Sequence, residues 1–261
     1  MAAPAGEKVL VLQSDRPPPR PEWRRRCLAS VEGWAAGQGY AYRLIGDELF
    51  DPIPDELERA CVGVLLPLTD IGRLLWLQKL LREGWDRVIW LDADILIFDP
   101  SLRLTGEDVG REIWISKGRE TGYRAAESVN NCVLSVAAQS PLRQRLLEAT
   151  LAEAASFRAA PHPRALGPDL FRRLHAADPL PVAPDIAMAS PIMLAALAGG
   201  DPAPLAAHRA VWVGPVRAAN LCGSLMEGDE QANRAVRRLL EAPNALSPAM
   251  ASPPVEWIRF A

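Results

Sequence analysis

The stretch Val88-Ile89-Trp90-Leu91-Asp92-Ala93-Asp94-Ile95-Leu96-Ile97-Phe98-Asp99-Pro100 decides how this chain is read. Apolar residues lead into an Asp-Ala-Asp triplet, and a second apolar stretch stops at Asp99-Pro100. A continuous apolar run this short reads as a strand buried on both faces, because a half-buried strand would alternate. Side chains two apart on a strand point the same way, so Asp92 and Asp94 are expected to project together from its carboxyl end. Buried carboxylates without a partner are costly. A divalent cation, Mg²⁺ or Mn²⁺, fits that need, since hard ions take carboxylate and phosphate oxygens. The plainer alternative, a helix cap or a pairing with arginines, suits an isolated Asp-X-Asp better than one flanked by strands and preceded by a helix.

Outward from this strand, residues 68–82 carry apolar side chains at helical spacing, with Gly84 as the stop. Residues 9–12 read as a first buried strand, and Ser14 and Asp15 leave its end. The proline-rich stretch 16–21 excludes strand and helix interior; it reads as a loop, with a polyproline ligand as the lesser alternative. A helix is predicted over 21–36, opened by Pro21 and stopped by Gly37. Its Trp23-Arg24-Arg25-Arg26 cluster reads as a solvated face, with contact to an acidic lipid or phosphate as the lesser alternative. Residues 40–45 alternate like a second strand. Strand, helix, strand, helix, strand argues for an α/β fold: a mostly parallel sheet with helices on both faces. Ligands of such sheets bind beyond the carboxyl ends of the strands, where Ser14, Asp15, Asp92 and Asp94 are expected.

The second half is less regular. Strands are predicted at 112–116, 131–136 and 210–213, helices at 141–157 and 230–241, and proline- and alanine-rich loops over 159–207. A single domain over 1–241 is expected, with a first half over 1–100, a second half over 101–241 and 242–261 as a proline-rich tail.

With 261 residues and 49% hydrophobic content, the chain can bury its own core without staples. The four cysteines, Cys27, Cys61, Cys132 and Cys222, show no metal-ligand spacing and read as reduced, mostly buried thiols. A net charge of −3 gives no support for nucleic-acid binding. No apolar run approaches a membrane span, and the start lacks the pattern of a signal peptide, so a cytoplasmic location is expected, with peripheral contact at the inner membrane face as a variant.

The run from Arg73 through Leu81, then Gly84-Trp85-Asp86, then 88–100, resembles the Asp-X-Asp nucleotide-sugar glycosyltransferases of the GT-A fold, a Rossmann-like class. Asp70-Ile71-Gly72-Arg73 is similar to the Asp-x-x-Arg of the yeast-type mannosyltransferase group, and the glycogenin-like group shares the strand pattern. Asn130-Asn131-Cys132-Val133-Leu134-Ser135 with Ser140-Pro141 resembles their acceptor-side segment, and Gly167-Pro168-Asp169 their following Gly-Pro element. The resemblance implies Asp94 as the direct metal ligand and Asp92 on donor ribose or a metal-bound water. Arg73 would lie near donor phosphate or sugar, and equally reads as a partner of Asp70. Asn131 and Asp169 are the implied acceptor-side catalytic residues, each balanced against a local role as turn or helix cap. Asn220 stands where these families commonly place a histidine ligand, with His208 or water as the alternative third ligand. The resemblance implies a Mn²⁺- or Mg²⁺-dependent, retaining transfer from a UDP- or GDP-linked donor to a sugar, lipid-linked glycan or protein acceptor, by a catalytic domain with 1–100 as its nucleotide-sugar half and 101–241 as its acceptor half.

Three rivals are open on sequence. A haloacid-dehalogenase-type phosphatase also uses Asp-X-Asp after a strand, but its motif continues with Gly and Thr rather than Ile95-Leu96. A sugar nucleotidyltransferase would need a glycine-rich loop after the first strand, and Gln13-Ser14-Asp15-Arg16-Pro17 has none. The third is a non-catalytic binder of nucleotide-sugars.

Overall fold

The computed structural model describes residues 6–118, 122–248 and 255–259. The first half alternates as expected: β1 (Val9–Ser14), α1 (Glu22–Gln38), β2 (Ala41–Ile45), α2 (Asp55–Ala60), α3 (Leu65–Arg82), β3 (Arg87–Leu91) and β4 (Ile95–Ile97). Next come β5 (Glu107–Lys117), β6 (Tyr123–Ala137), α4 (Pro141–Ser156), α5 (Pro168–Ala177), β7 (Val182–Ala183) and β8 (Ile186–Met188). The chain closes with α6 (Pro191–Leu197), α7 (Ala203–Val211), β9 (Ala218–Asn220), α8 (Asp229–Glu241) and β10 (Val255–Arg259).

The fold is α/β with a mostly parallel main sheet, as expected. Strand order is β2-β1-β3-β6-β5-β7; β1 runs parallel to β2 and β3, and β7 parallel to β5. The fifteen-residue β6 is the antiparallel spine between β3 and β5. Its first part pairs instead with β10, in parallel. Alternate residues of β1 feed opposite layers. Leu10 and Leu12 pack with Leu77 and Leu80 of α3 on one face, Val9 and Val11 with Val31 and Trp34 of α1 on the other. Helices therefore cover both faces.

Helix ends follow local chemistry. Gly39, at φ 74°, closes α1 by donating to the carbonyls of Ala35 and Ala36. That replaces the stop expected at Gly37, which stays inside the helix. Ser140 Oγ accepts from Arg143 N, and Pro141 opens α4.

Three expectations are corrected. The run 88–100 is not one strand: β3 stops at Leu91, Asp92-Ala93-Asp94 turns, and Ile95 N–H donates to Asp92 O at 3.0 Å. β4 then joins a separate sheet, β4-β9-β8. The region 159–207 is not loop alone, for it holds α5, α6 and part of α7. Residues 210–213 are not a strand. They end α7, where Val211 and Trp212 bury themselves in a helical layer made with α6 and α8. A four-residue apolar run has no periodicity to separate helix from strand. Beyond α8, Leu246 is fully buried in that layer.

Candidate active site

Asp92 and Asp94 sit in the turn where the chain leaves the main sheet for the small one. The turn is tied on several sides. Asp92 N–H donates to Cys132 O at 2.9 Å, and Gln13 Nε2 donates to Asp92 O at 3.1 Å while Gln13 Oε1 accepts from Tyr42 OH. Leu221 N–H donates to Asp94 O at 3.0 Å, and Gly223 N–H to Asp94 Oδ2 at 2.7 Å. Asp94 Oδ1 is buried and has no hydrogen-bond partner among the described residues.

Behind the turn lies a network no short motif spells out. Arg73 Nη2 is 3.6 Å from Asp70 Oδ1 and 3.4 Å from Asp92 Oδ1, and its Nη1 donates to Asn131 O. Asn131 Nδ2 donates to Asp70 Oδ1 at 2.7 Å, and Trp90 Nε1 to Asp92 Oδ1 at 2.7 Å. The Arg73 guanidinium also lies over the Trp90 ring. One buried cation between two carboxylates leaves net negative charge. Burial pushes Asp70 up from 3.8 to about 6 despite Arg73 and Asn131. It also pushes Asp92 to about 6, with Asp94 raising it further against the pull of Arg73 and Trp90. Arg73 thus pairs with Asp70, the local reading of the two, and also reaches Asp92.

β6 delivers its residues through a break in register. Val109 faces Leu134, but Gly110 faces Asn130, so residues 131–133 bulge out of the β5 ladder. Gly110 makes this possible, since a Cβ there would lie 2.2 Å from Asn130 Oδ1. Gly167 is constrained in the same way, as its Cβ would lie 2.8 Å from Asp70 Oδ2.

These elements enclose a cavity of about 330 Å³. Asp70, Arg73, Asp92, Asp94, Asn131 and Asn220 all line it, as does Glu112 of β5, a residue in no motif. Asn220 Oδ1 accepts from Cys222 N at 2.6 Å. Ser14 and Asp15 line a second, wider hollow at the end of β1, with Arg16, Arg20, Arg24 and Thr69. Leu66 and Ser224 border both. Asp15 is ion-paired with Arg20 at 2.6 Å.

Asp169 is in the first turn of α5, 3.3 Å from Arg164 and 3.6 Å from His162 Nδ1, and is not among the lining residues. His208 lies outside the cavity lining too, stacked on Trp212 with Nδ1 3.2 Å from Leu246 O. Trp23-Arg24-Arg25-Arg26 does not form one solvated face. Trp23 is buried and donates to Asp229 at 2.8 Å, Arg24 lies over its ring, and Arg26 pairs with Glu22. All four cysteines are buried and free. No helix among the described residues is long and apolar enough to cross a membrane.

The chain matches no protein-family model and no curated protein. Among solved structures it is similar to a glycosyltransferase involved in glycosylation of the major capsid of PBCV-1, at TM-score 0.46 and 13% identity, covering 88% of this chain and 98% of that one. It is also similar to the apo form of mouse xyloside xylosyltransferase 1, at TM-score 0.42 and 13% identity, covering 84% and 98%.

Proposed function

We propose that this protein is a metal-dependent glycosyltransferase of GT-A type, moving a sugar from a UDP- or GDP-linked donor to a hydroxyl of a sugar, lipid-linked glycan or protein. The observation that carries this reading is Asp94 Oδ1, a buried carboxylate oxygen without a partner, in a cavity shared with Asp70, Asp92 and Glu112. A charged oxygen left bare at a cavity wall costs several kcal/mol unless something positive occupies the space in front of it.

The donor set suits Mn²⁺ or Mg²⁺. Asp94, Asp92 and the second lone pair of Asn220 Oδ1 would hold the ion, and all are hard oxygen donors. Among the described residues no three His, Cys, Asp or Glu are gathered into a full ligand set. That composition favours an ion that completes its coordination with oxygens of the donor's diphosphate. When bound, such an ion stabilises the negative charge that develops on the leaving diphosphate.

The chain's own residues do the rest. Arg73 fixes Asp92 by charge and Trp90 fixes it by a hydrogen bond, so the carboxylate is preorganised. The hollow bordered by Ser14, Asp15 and Arg24 would take the nucleoside end of the donor, because it adjoins the cavity through Leu66 and Ser224. Asn131 acts by holding Asp70, and Asp169 by holding Arg164 at the rim. Retention at the transferred carbon is the outcome the resemblance carries.

The test is calorimetric titration with UDP and GDP, with and without Mn²⁺, followed by turnover on UDP- and GDP-sugars. Metal-dependent release of nucleoside diphosphate is expected. Phosphate release from phosphomonoesters with an aspartyl-phosphate trapped on Asp92 would replace this reading with the phosphatase, and tight binding without turnover with the non-catalytic binder.

A further inference from the structure

Glu112 is the one cavity carboxylate that the metal and the Arg73 network leave unused. It lies on β5, 7% exposed, and lines the same cavity as Asp92 and Asp94. β6 runs between β5 and β3, so two inter-strand spacings, roughly 10 Å, separate the strand of Glu112 from β3, which leads into the Asp-Ala-Asp turn. That span leaves room in the cavity for a sugar ring and a second reactant beside the ion.

The surroundings of Glu112 differ from those of the other acids. From β6, Asn130 Nδ2 reaches Glu112 Oε2 at 3.5 Å, the far limit of a hydrogen bond, while Asn130 Oδ1 accepts from Cys132 N. Arg164, ahead of α5, and Arg172 on α5 act on it from a distance, opposed by Asp169 of the same helix. Cys222, beyond β9, is close enough to feel its charge. Burial raises the carboxyl above its ordinary range, against Asn130 and the two arginines, which makes it a better proton acceptor than a solvated glutamate.

We propose that Glu112 is a catalytic residue of the acceptor side: it accepts the hydrogen bond, and then the proton, of the hydroxyl that receives the sugar. The inference rests on the glycosyltransferase reading. As the acceptor oxygen bonds to the sugar's anomeric carbon, the bond from that carbon to the diphosphate oxygen breaks and its electron pair leaves with the diphosphate. The hydroxyl proton passes to a Glu112 oxygen and from there to water. The step needs no other reactant, and retention places the acceptor oxygen on the face of the sugar that the diphosphate leaves.

The experiment compares two acceptors in the wild type, Glu112→Gln and Glu112→Asp. One is a hydroxyl acceptor found by panel; the other is azide, an anionic nucleophile with no proton to lose. Glu112→Gln should lower kcat toward the hydroxyl acceptor by about 10²- to 10³-fold. Nucleotide binding with Mn²⁺ and glycosyl azide formation should stay within about threefold of wild type. Glu112→Asp should recover part of the loss, and the acid limb of the kcat/KM profile should vanish in Glu112→Gln. Hydroxyl transfer by Glu112→Gln within threefold of wild type overturns the assignment, as does an equal fall in azide transfer or nucleotide binding. Failure of the wild type to turn over any nucleotide-sugar, with hydroxyl or azide, overturns the glycosyltransferase reading itself. Thermal unfolding of each variant shows which losses are losses of fold.

Discussion

Two regions of this molecule bury titratable side chains and leave a polar atom unpaired, and they do so to different ends. At the turn between β3 and β4 the atom is Asp94 Oδ1, and it belongs to a residue lining a cavity. In the layer of α6, α7 and α8 it is His208 Nε2, on a ring that is 0% exposed and packed on Trp212. The first group is an acid among acids with space in front of it. The second is closed in by apolar neighbours, and burial lowers it from 6.5 to about 4, helped by Arg111 and Arg209. An unpaired buried atom points to a ligand where it carries charge beside open space. Where the group can stay neutral, it is a tolerated cost of packing.

The largest separation of the two regions should come from Asp94→Ala. Turnover and Mn²⁺-dependent nucleotide binding should fall by about 10³-fold or more, as expected for losing a ligand of the charge-stabilising ion. Apo thermal stability should hold, because relief of the repulsion with Asp92 offsets the hydrogen bond lost from Gly223 N–H. Marked destabilisation without loss of nucleotide binding would place Asp94 with His208 as a packing residue.

Arg73→Met should strike both fold and function, because it leaves buried Asp70 and partly exposed Asp92 together without their cation. Losing one partner of a buried charge network costs about 3–5 kcal/mol, read from urea unfolding at neutral pH. The loss should shrink in acid, since both carboxylates titrate from about 6 and become neutral. A loss under 1 kcal/mol would mean that Arg73 contributes little to holding the wall.

The helical layer should respond to acid with the opposite sign. His208 has a folded value of about 4, below the 6.5 of an unfolded chain, so its stabilising effect is complete above 6.5 and fades as pH falls toward 4. The shift is worth about 3 kcal/mol at full extent. The raised values of Asp70 and Asp92 favour the folded state over the same acid range, since the native protein binds those protons first. Unfolding of His208→Leu alongside wild type across this window isolates the histidine, and a constant difference between them would contradict its burial as a neutral ring.

The smallest effect concerns Asn220. A histidine there offers Mn²⁺ a nitrogen that an amide lacks, so Asn220→His should tighten nucleotide-free Mn²⁺ binding by about tenfold, roughly 1.4 kcal/mol. Unchanged titrations would remove Asn220 from the metal site.

What the sequence made legible follows the same division. The alternation from β1 to β3 could be read because each apolar run is short, punctuated by Pro or Gly, and buried by its own neighbours in the chain. Arg73 was within reach because Asp-x-x-Arg sets two charges one helical turn apart. The break at Asp92-Ala93-Asp94 was hidden, since apolar residues on both sides mimic a single strand. Glu112 was hidden more deeply. A lone acid in a strand carries no pattern, and only the bulge of residues 131–133 brings Asn130 against it. The helices of 159–207 escaped because alanine and proline dominate there, and the helical layer that buries them is assembled from elements distant in sequence.

The central claim is that Asp92 and Asp94 hold a divalent ion together with a nucleoside diphosphate. Calorimetry of Mn²⁺, of UDP or GDP, and of both together on the wild-type protein tests it most directly. Each alone should bind weakly and the pair tightly, with a coupling of at least about 1–3 kcal/mol that chelation of the metal abolishes. Equal nucleotide affinity with Mn²⁺ and with the metal chelated would contradict the claim.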